Sequence, residues 1–263
     1  MSTIHFIKNK TCKVSIDKGE LISFQKENIE YIHQKSNKGW YKSDDEMFPV
    51  IGPTFKNNFK VHTQKGEGVL DQHGLLRELD YVTISSNENS VSYIKKYTKN
   101  TLVKNSKFPK KSIKEQLFWP YSFSFEKKFS IKNNLLIIDF ILTSEINMPF
   151  MLGYHPAFLL SGTGNEILKT NNSQITLAEV LEVGGNEFPV LNCNSILLKN
   201  THKRDIEIKT KGFNNFMLWT EVNNMLCIEP ITHYTSFTDQ KFSEENMLIS
   251  KGENTFSVTI KIL

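Results

Sequence analysis

Tyr121-Ser122-Phe123-Ser124-Phe125, followed by Lys132-Asn133-Asn134 and then Leu135-Leu136-Ile137-Ile138-Asp139-Phe140-Ile141-Leu142, is the stretch whose reading decides the fold class. Tyr121, Phe123 and Phe125 alternate with two serines, the period-2 pattern of a strand with one apolar and one polar face. The Asn-Asn step reads as a turn, and the run from Leu135 to Leu142 reads as a second strand, apolar enough to expect burial on both sides. The same alternation returns at the far end, where Phe256, Val258, Ile260 and Ile262 are interleaved with Ser257, Thr259 and Lys261. Turn signals recur at Asp17-Lys18-Gly19, Lys65-Gly66-Glu67-Gly68, Gly162-Thr163-Gly164, Gly184-Gly185-Asn186 and Lys211-Gly212. Sustained helical periodicity is absent. Many strands separated by turns predict an all-β chain built as a large two-sheet sandwich or a barrel.

Composition narrows the function classes. Hydrophobic residues make up 39% and charged residues 23% of 263, which suits a globular chain with a sizeable core. The net charge of +4 comes from lysines scattered among acids, and the densest basic run, Lys107 to Lys114, is short. No basic face interleaved with aromatics is evident, so no nucleic-acid partner is expected. Arg77 and Arg204 are the only arginines, which draws attention to the planar fork of Arg77. Cys12, Cys193 and Cys227 are too widely spaced for a disulfide framework or a Cys-x-x-Cys site. The start of the chain lacks a signal-peptide core and no apolar run approaches a membrane span, so a cytoplasmic location and no membrane partner are expected.

Three short motifs carry candidate chemistry. Gly153-Tyr154-His155-Pro156-Ala157-Phe158 sets a histidine in apolar surroundings, and Cys227-Ile228-Glu229-Pro230 interrupts an apolar strand with a carboxylate. Imidazole and carboxylate are the groups most easily tuned to give one proton and take another near neutral pH. His73-Gly74-Leu75-Leu76-Arg77 adds two groups for a polar ligand, with Gly74 permitting a tight backbone between them. Taken locally, His155 also fits a structural histidine, Glu229 an edge glutamate leaning to solvent, and His73 and Arg77 a surface loop. His233 and Asp239 are further residues that a pocket near Glu229 would draw on, and Trp119 and Tyr121 are candidates either for stacking on a sugar or for a core strand. No Gly-rich phosphate loop and no metal-ligand spacing among the histidines is present.

In this order the three motifs resemble the aldose 1-epimerase (galactose mutarotase) family, and Phe48-Pro49-Val50-Ile51-Gly52-Pro53 is similar to its short bacterial branch. The resemblance runs from about Phe48 to the C-terminus. It implies a β-supersandwich of mainly antiparallel sheets, with residues 1–263 as one galactose mutarotase-like domain. It also implies a catalytic pair, His155 as general acid and Glu229 as general base, with His73 and Arg77 binding sugar hydroxyls. The implied reaction interconverts the α and β anomers of an aldose without cofactor or metal. Groups acting on the ring oxygen and O1 of one sugar are expected to face each other across a cleft. Two departures stand out: Gly52-Pro53-Thr54-Phe55 lacks the family's early arginine, and no aspartate occurs between Leu142 and Arg204. A hexose 6-phosphate epimerase and a non-catalytic sugar-sensing protein are the alternative readings.

Overall fold

The Tyr121–Leu142 stretch forms a hairpin. Strands Phe123–Lys132 and Leu135–Ser144 pair antiparallel in unbroken register, from Phe123 opposite Ser144 to Lys132 opposite Leu135. Asn133 and Asn134 make the turn with φ of 50° and 62°. Asparagine tolerates this left-handed region, and a two-residue turn of that hand matches the twist of paired strands. The computed structural model describes residues 4–235, 240, 242 and 246–263.

The hairpin lies within a nine-stranded sheet. Its order is 174–176, 167–169, 195–199, 206–211, 253–262, 135–144, 123–132, 90–97 and 82–86. A second sheet contains 188–190, 215–219, 225–231, 153–154 and 46–47, with 157–159 also paired to 225–231. A four-stranded meander, Ile4–Lys8, Cys12–Asp17, Glu20–Lys26 and Ile29–Glu30, precedes both. Every ladder between these strands is antiparallel. Among the described residues there is one short α-helix, Leu177–Glu182, closed by a reciprocal cap between Thr176 and Glu179. The fold is all-β.

The two main sheets face each other across an aromatic core. Phe140 of the nine-stranded sheet meets Tyr154 of the second at a ring separation of 5.1 Å, and Phe125 and Phe129 are completely buried. Each such ring is worth about 1.5–3 kcal/mol of burial. Leu135–Ser144 departs from the expectation of burial on both sides. Leu136, Ile138, Phe140 and Leu142 are buried, whereas Leu135, Ile137 and Ile141 are half-buried. The strand packs one face into the sandwich and its other face is only partly covered. Trp119 and Tyr121 are both core residues, at 0% and 1% exposure, which removes them as candidates for stacking on a ligand.

One inward position of the Phe123–Lys132 strand is not apolar. Lys127 is fully buried, and its ammonium donates to Asp44 Oδ2 at 2.7 Å and Glu46 Oε1 at 2.6 Å while lying over the Tyr154 ring. Burial alone would depress this ammonium, but the two carboxylates hold it above the usual lysine range. Tyr154 also donates its hydroxyl to Asp44 at 2.8 Å. Lys95, on the adjacent strand, reaches Leu76 O at 2.9 Å and lies 3.6 Å from Glu46. Two lysines of the large sheet thereby hold the Asp44-Asp45-Glu46 segment, and that segment positions the candidate site.

Candidate active site

His155 is placed from its backbone outward. Its N–H donates to Asp45 O at 2.8 Å, and its own carbonyl accepts from Asp45 N at 3.2 Å. Pro156 O accepts from Ile228 N, and Ala157 pairs with Cys227, which docks the segment onto the fully buried Met225–Ile231 strand. Glu229 lies on that strand two residues beyond Cys227, on the same face. His155 Nε2 and Glu229 Oε1 come within 3.3 Å of each other.

The pair is therefore side by side, not separated by the width of a ring as a face-to-face cleft would require. The ring oxygen and O1 of a cyclic sugar are bonded to one carbon, so an acid and a base that are neighbours can serve both. Trp40 stacks on the imidazole with centroids 4.3 Å apart and planes at 28°, and Trp219 meets it edge-on at 6.2 Å. Burial, then the positive charge of Arg77, depresses the His155 imidazole to about 3, against the opposing pull of Asp45. Burial also pushes the Glu229 carboxyl well above its ordinary range, and the Glu187 carboxylate adds to the effect while Arg77 opposes it. The resting pair thus favours neutral imidazole beside protonated carboxyl, the reverse of an imidazolium beside a carboxylate.

His73 and Arg77 join this pair. The His73 ring lies edge-on to His155 with centroids 5.9 Å apart. Its Nδ1 is within 2.9 Å of Ile51 O, a carbonyl that can only accept, so Nδ1 carries the proton. Burial and Arg77 hold the ring neutral, which leaves Nε2 as an acceptor for a hydroxyl. The backbone here is demanding: His73 has φ 72° and Gly74 φ 69°, and a Cβ on Gly74 would stand 2.0 Å from Phe48 O. That same carbonyl accepts from Leu75 N and Leu76 N. The Phe48–Ile51 segment is thus the cradle that presents His73 and Arg77.

Arg77 Nη2 lies 3.4 Å from Asp45 Oδ2, yet neither Nη2 nor Nε has a hydrogen-bond partner although both are buried. Asp45 is held below the usual carboxylate range by Arg77 and Lys42, which outweigh its burial, and so stays ionised. Beyond Asp45 and Arg77 lies a cavity of about 610 Å³, walled also by Glu20, Lys42, Glu46 and Lys95, and neither His155 nor Glu229 lines it.

Trp40, Trp219, Asp45 and Glu187 are at the site and escape the sequence motifs. Trp40 comes from a polar loop and is held by its N–H on Met225 Sδ at 3.2 Å and its carbonyl on His33 Nε2 at 2.8 Å. The Gly39-Trp40-Tyr41 aromatic pair amid lysines and serines is the signal that marks it. Glu187, hydrogen-bonded to Tyr234 and close enough to raise the Glu229 carboxyl, is a carboxylate in the stretch between Leu142 and Arg204 that holds no aspartate. His233 is half-buried with Nδ1 unpartnered, and Asp239 lies outside the described residues.

The comparisons identify the family and the fold. The family model of aldose 1-epimerase matches residues 19–229, most of the chain and starting well before Phe48. The protein belongs to the aldose 1-epimerase family. In solved structures its fold is similar to a galactose mutarotase related enzyme from Lactobacillus acidophilus, with a TM-score of 0.80 and 19% identity over 99% of this chain and 97% of that one. It is likewise similar to a galactose mutarotase-like protein from Lactobacillus casei, with a TM-score of 0.78 and 17% identity over 99% and 100%. Among curated proteins it is 24% identical to the chromosomal LacX protein of Lactococcus lactis subsp. lactis over 148 residues, 53% of this chain and 44% of that protein. The match thus spans less than half of the curated relative's length. Among the described residues no helix is long and apolar enough to cross a membrane.

Proposed function

We propose that this protein is an aldose 1-epimerase that interconverts the anomers of an unphosphorylated aldose, with His155 and Glu229 as its acid/base pair. The supporting observation is the 3.3 Å contact between two buried titratable groups whose environments push their protonation in opposite directions. Between them the two groups hold one proton. Its passage from Glu229 to His155 creates a carboxylate and an imidazolium. Glu229 then takes the proton of the C1 hydroxyl while His155 delivers its proton to the ring oxygen. The bond from C1 to the ring oxygen breaks and C1 becomes an aldehyde carbon. Glu229 is again protonated and His155 neutral, the arrangement burial favours, so the open-chain intermediate is formed in the environment's preferred protonation state. Rotation about C1–C2 and reversal of both transfers give the other anomer.

A neutral substrate is favoured because four lysines near the site are already matched. Lys42 is bonded to Asp45 at 2.7 Å, Lys35 to Glu20 at 2.6 Å, Lys107 lies 3.4 Å from Asp71, and Lys95 faces Glu46. A phosphate needs cations in excess. Polarimetry on freshly dissolved α-glucose or α-galactose should show mutarotation faster than on the corresponding 6-phosphate at equal concentration. Preference for the 6-phosphate would assign the protein to the phosphate-specific reading, and sugar binding without any acceleration would make it a sensing protein.

The pH profile of kcat/KM follows from the pair. Ordinary values of 6.5 and 4.5 would confine the one-proton state to a narrow band. Below the acid limb both groups are protonated and no acceptor remains; above the alkaline limb both are deprotonated and no donor remains. With His155 depressed to about 3 and Glu229 raised, the band widens on both sides. The acid limb should lie well below the ordinary histidine value and the alkaline limb well above the ordinary carboxylate value, whereas an acid limb near the ordinary histidine value would contradict the assignment.

Arg77 serves binding in this scheme. Arg77→Lys keeps the charge but loses the planar pair of donors at Nε and Nη2. A charged hydrogen bond is worth about 1.5–3 kcal/mol, so kcat/KM should fall roughly ten- to a hundredfold, mainly through KM. A fall confined to kcat would place Arg77 in the chemistry instead.

A further inference from the structure

The face of the Met225–Ile231 strand that presents Glu229 also presents Cys227, and the resulting cluster has a second chemistry. A ring nitrogen of His155, Cys227 Sγ and a Glu229 carboxylate oxygen lie within 4.8 Å of one another, and all three residues are buried. Nitrogen, thiolate and carboxylate from three residues form a donor set of the kind that holds zinc where three protein ligands leave the fourth position to water. Ligand bonds of about 2.0–2.2 Å in tetrahedral array set nitrogen and oxygen about 3.4 Å apart. His155 Nε2 and Glu229 Oε1 already stand at 3.3 Å.

We propose that His155, Cys227 and Glu229 form an inhibitory binding site for a thiophilic divalent cation of the zinc type. The ion is not a cofactor. As the bonds form, the thiol and carboxyl protons pass to solvent, and the ion occupies both atoms that the proposed ring-opening chemistry needs. The inhibition rests on that reading of the site; the binding does not. Softer ions that favour sulfur and nitrogen are selected over magnesium and calcium, which prefer all-oxygen sites.

Cobalt(II) serves as the spectroscopic probe of the full-length protein. One equivalent should produce a near-ultraviolet thiolate-to-cobalt charge-transfer band that zinc(II) abolishes by displacement, and the band should be missing in both Cys227→Ser and Cys227→Ala. The alanine variant places a small apolar side chain beside Ala157, so it remains informative where the serine variant is unstable. In a mutarotation assay, saturating zinc(II) should slow the wild type more than tenfold and leave Cys227→Ser at its metal-free rate. No band, or a band that persists in both variants, overturns the site. A band accompanied by undiminished wild-type mutarotation overturns the inhibition. Should the wild type accelerate no aldose, the failure lies with the enzymatic reading and the cobalt spectrum still decides the site.

Discussion

Glu229→Gln should lower kcat/KM for aldose mutarotation by ~10²–10⁴-fold, the usual worth of a positioned proton transfer. The resting carboxyl is pushed well above its ordinary range by burial, so the protein already stores a neutral group at this position. Glutamine has the same shape and is also neutral, so the fold should tolerate the change and the melting temperature should stay close to that of the wild type. Loss of activity with stability retained separates chemistry from structure. An activity within threefold of the wild type, measured by polarimetry on the best aldose, would exclude Glu229 as the base.

Lys127→Met should have the largest effect on stability. It removes the cation bonded to Asp44 and leaves Asp44 and Glu46 buried at 3% and 2% exposure. Removing one partner of a buried ion pair costs about 3–5 kcal/mol, and in a chain of this size each kcal/mol moves the melting temperature by roughly 2–4 °C. A fall of about 6–20 °C is therefore expected, and thermal unfolding at neutral pH measures it. The deficit has a definite pH dependence. Burial raises Asp44 to about 6 even with Lys127 present. A carboxyl whose folded value lies above its unfolded one costs stability when ionised, and the cost disappears as pH falls below the unfolded value. The gap between variant and wild type should therefore narrow on acidification. A deficit below 1 kcal/mol would show that Lys127 does not hold the Asp44–Glu46 segment.

Local patterning made the strands legible and left the site's supports hidden. Phe123 with Phe125, and Phe256 with Ile260, reveal their strands because alternation is written into neighbouring residues. Lys127 breaks that pattern and reads as a polar interruption, since its partners Asp44 and Glu46 stand some eighty positions away. The half-covered outer face of Leu135–Ser144 was illegible for a related reason: an apolar run does not state how completely each face is covered. At the site, the motifs around His155, Glu229, His73 and Arg77 drew attention through resemblance. Their proximity arises from the ladder between Ala157–Leu159 and Met225–Ile231 and from the Phe48–Ile51 carbonyls, neither of which is encoded locally. Trp40 and Glu187 join the site only through such tertiary contacts.

The position of the pair's proton is the feature that ties structure to chemistry. Groups tuned this far apart in opposite directions would be costly in a purely structural role, and a buried neutral pair contributes little to stability. Anomer exchange observed directly by two-dimensional exchange NMR on an aldose labelled at C1 is the most direct test. With catalytic amounts of wild-type protein, cross-peaks between the α and β anomers should grow far faster than in buffer, and Glu229→Gln should return them to the buffer rate. Cross-peaks that grow at the buffer rate with the wild type, for glucose, galactose and their 6-phosphates alike, would contradict the account.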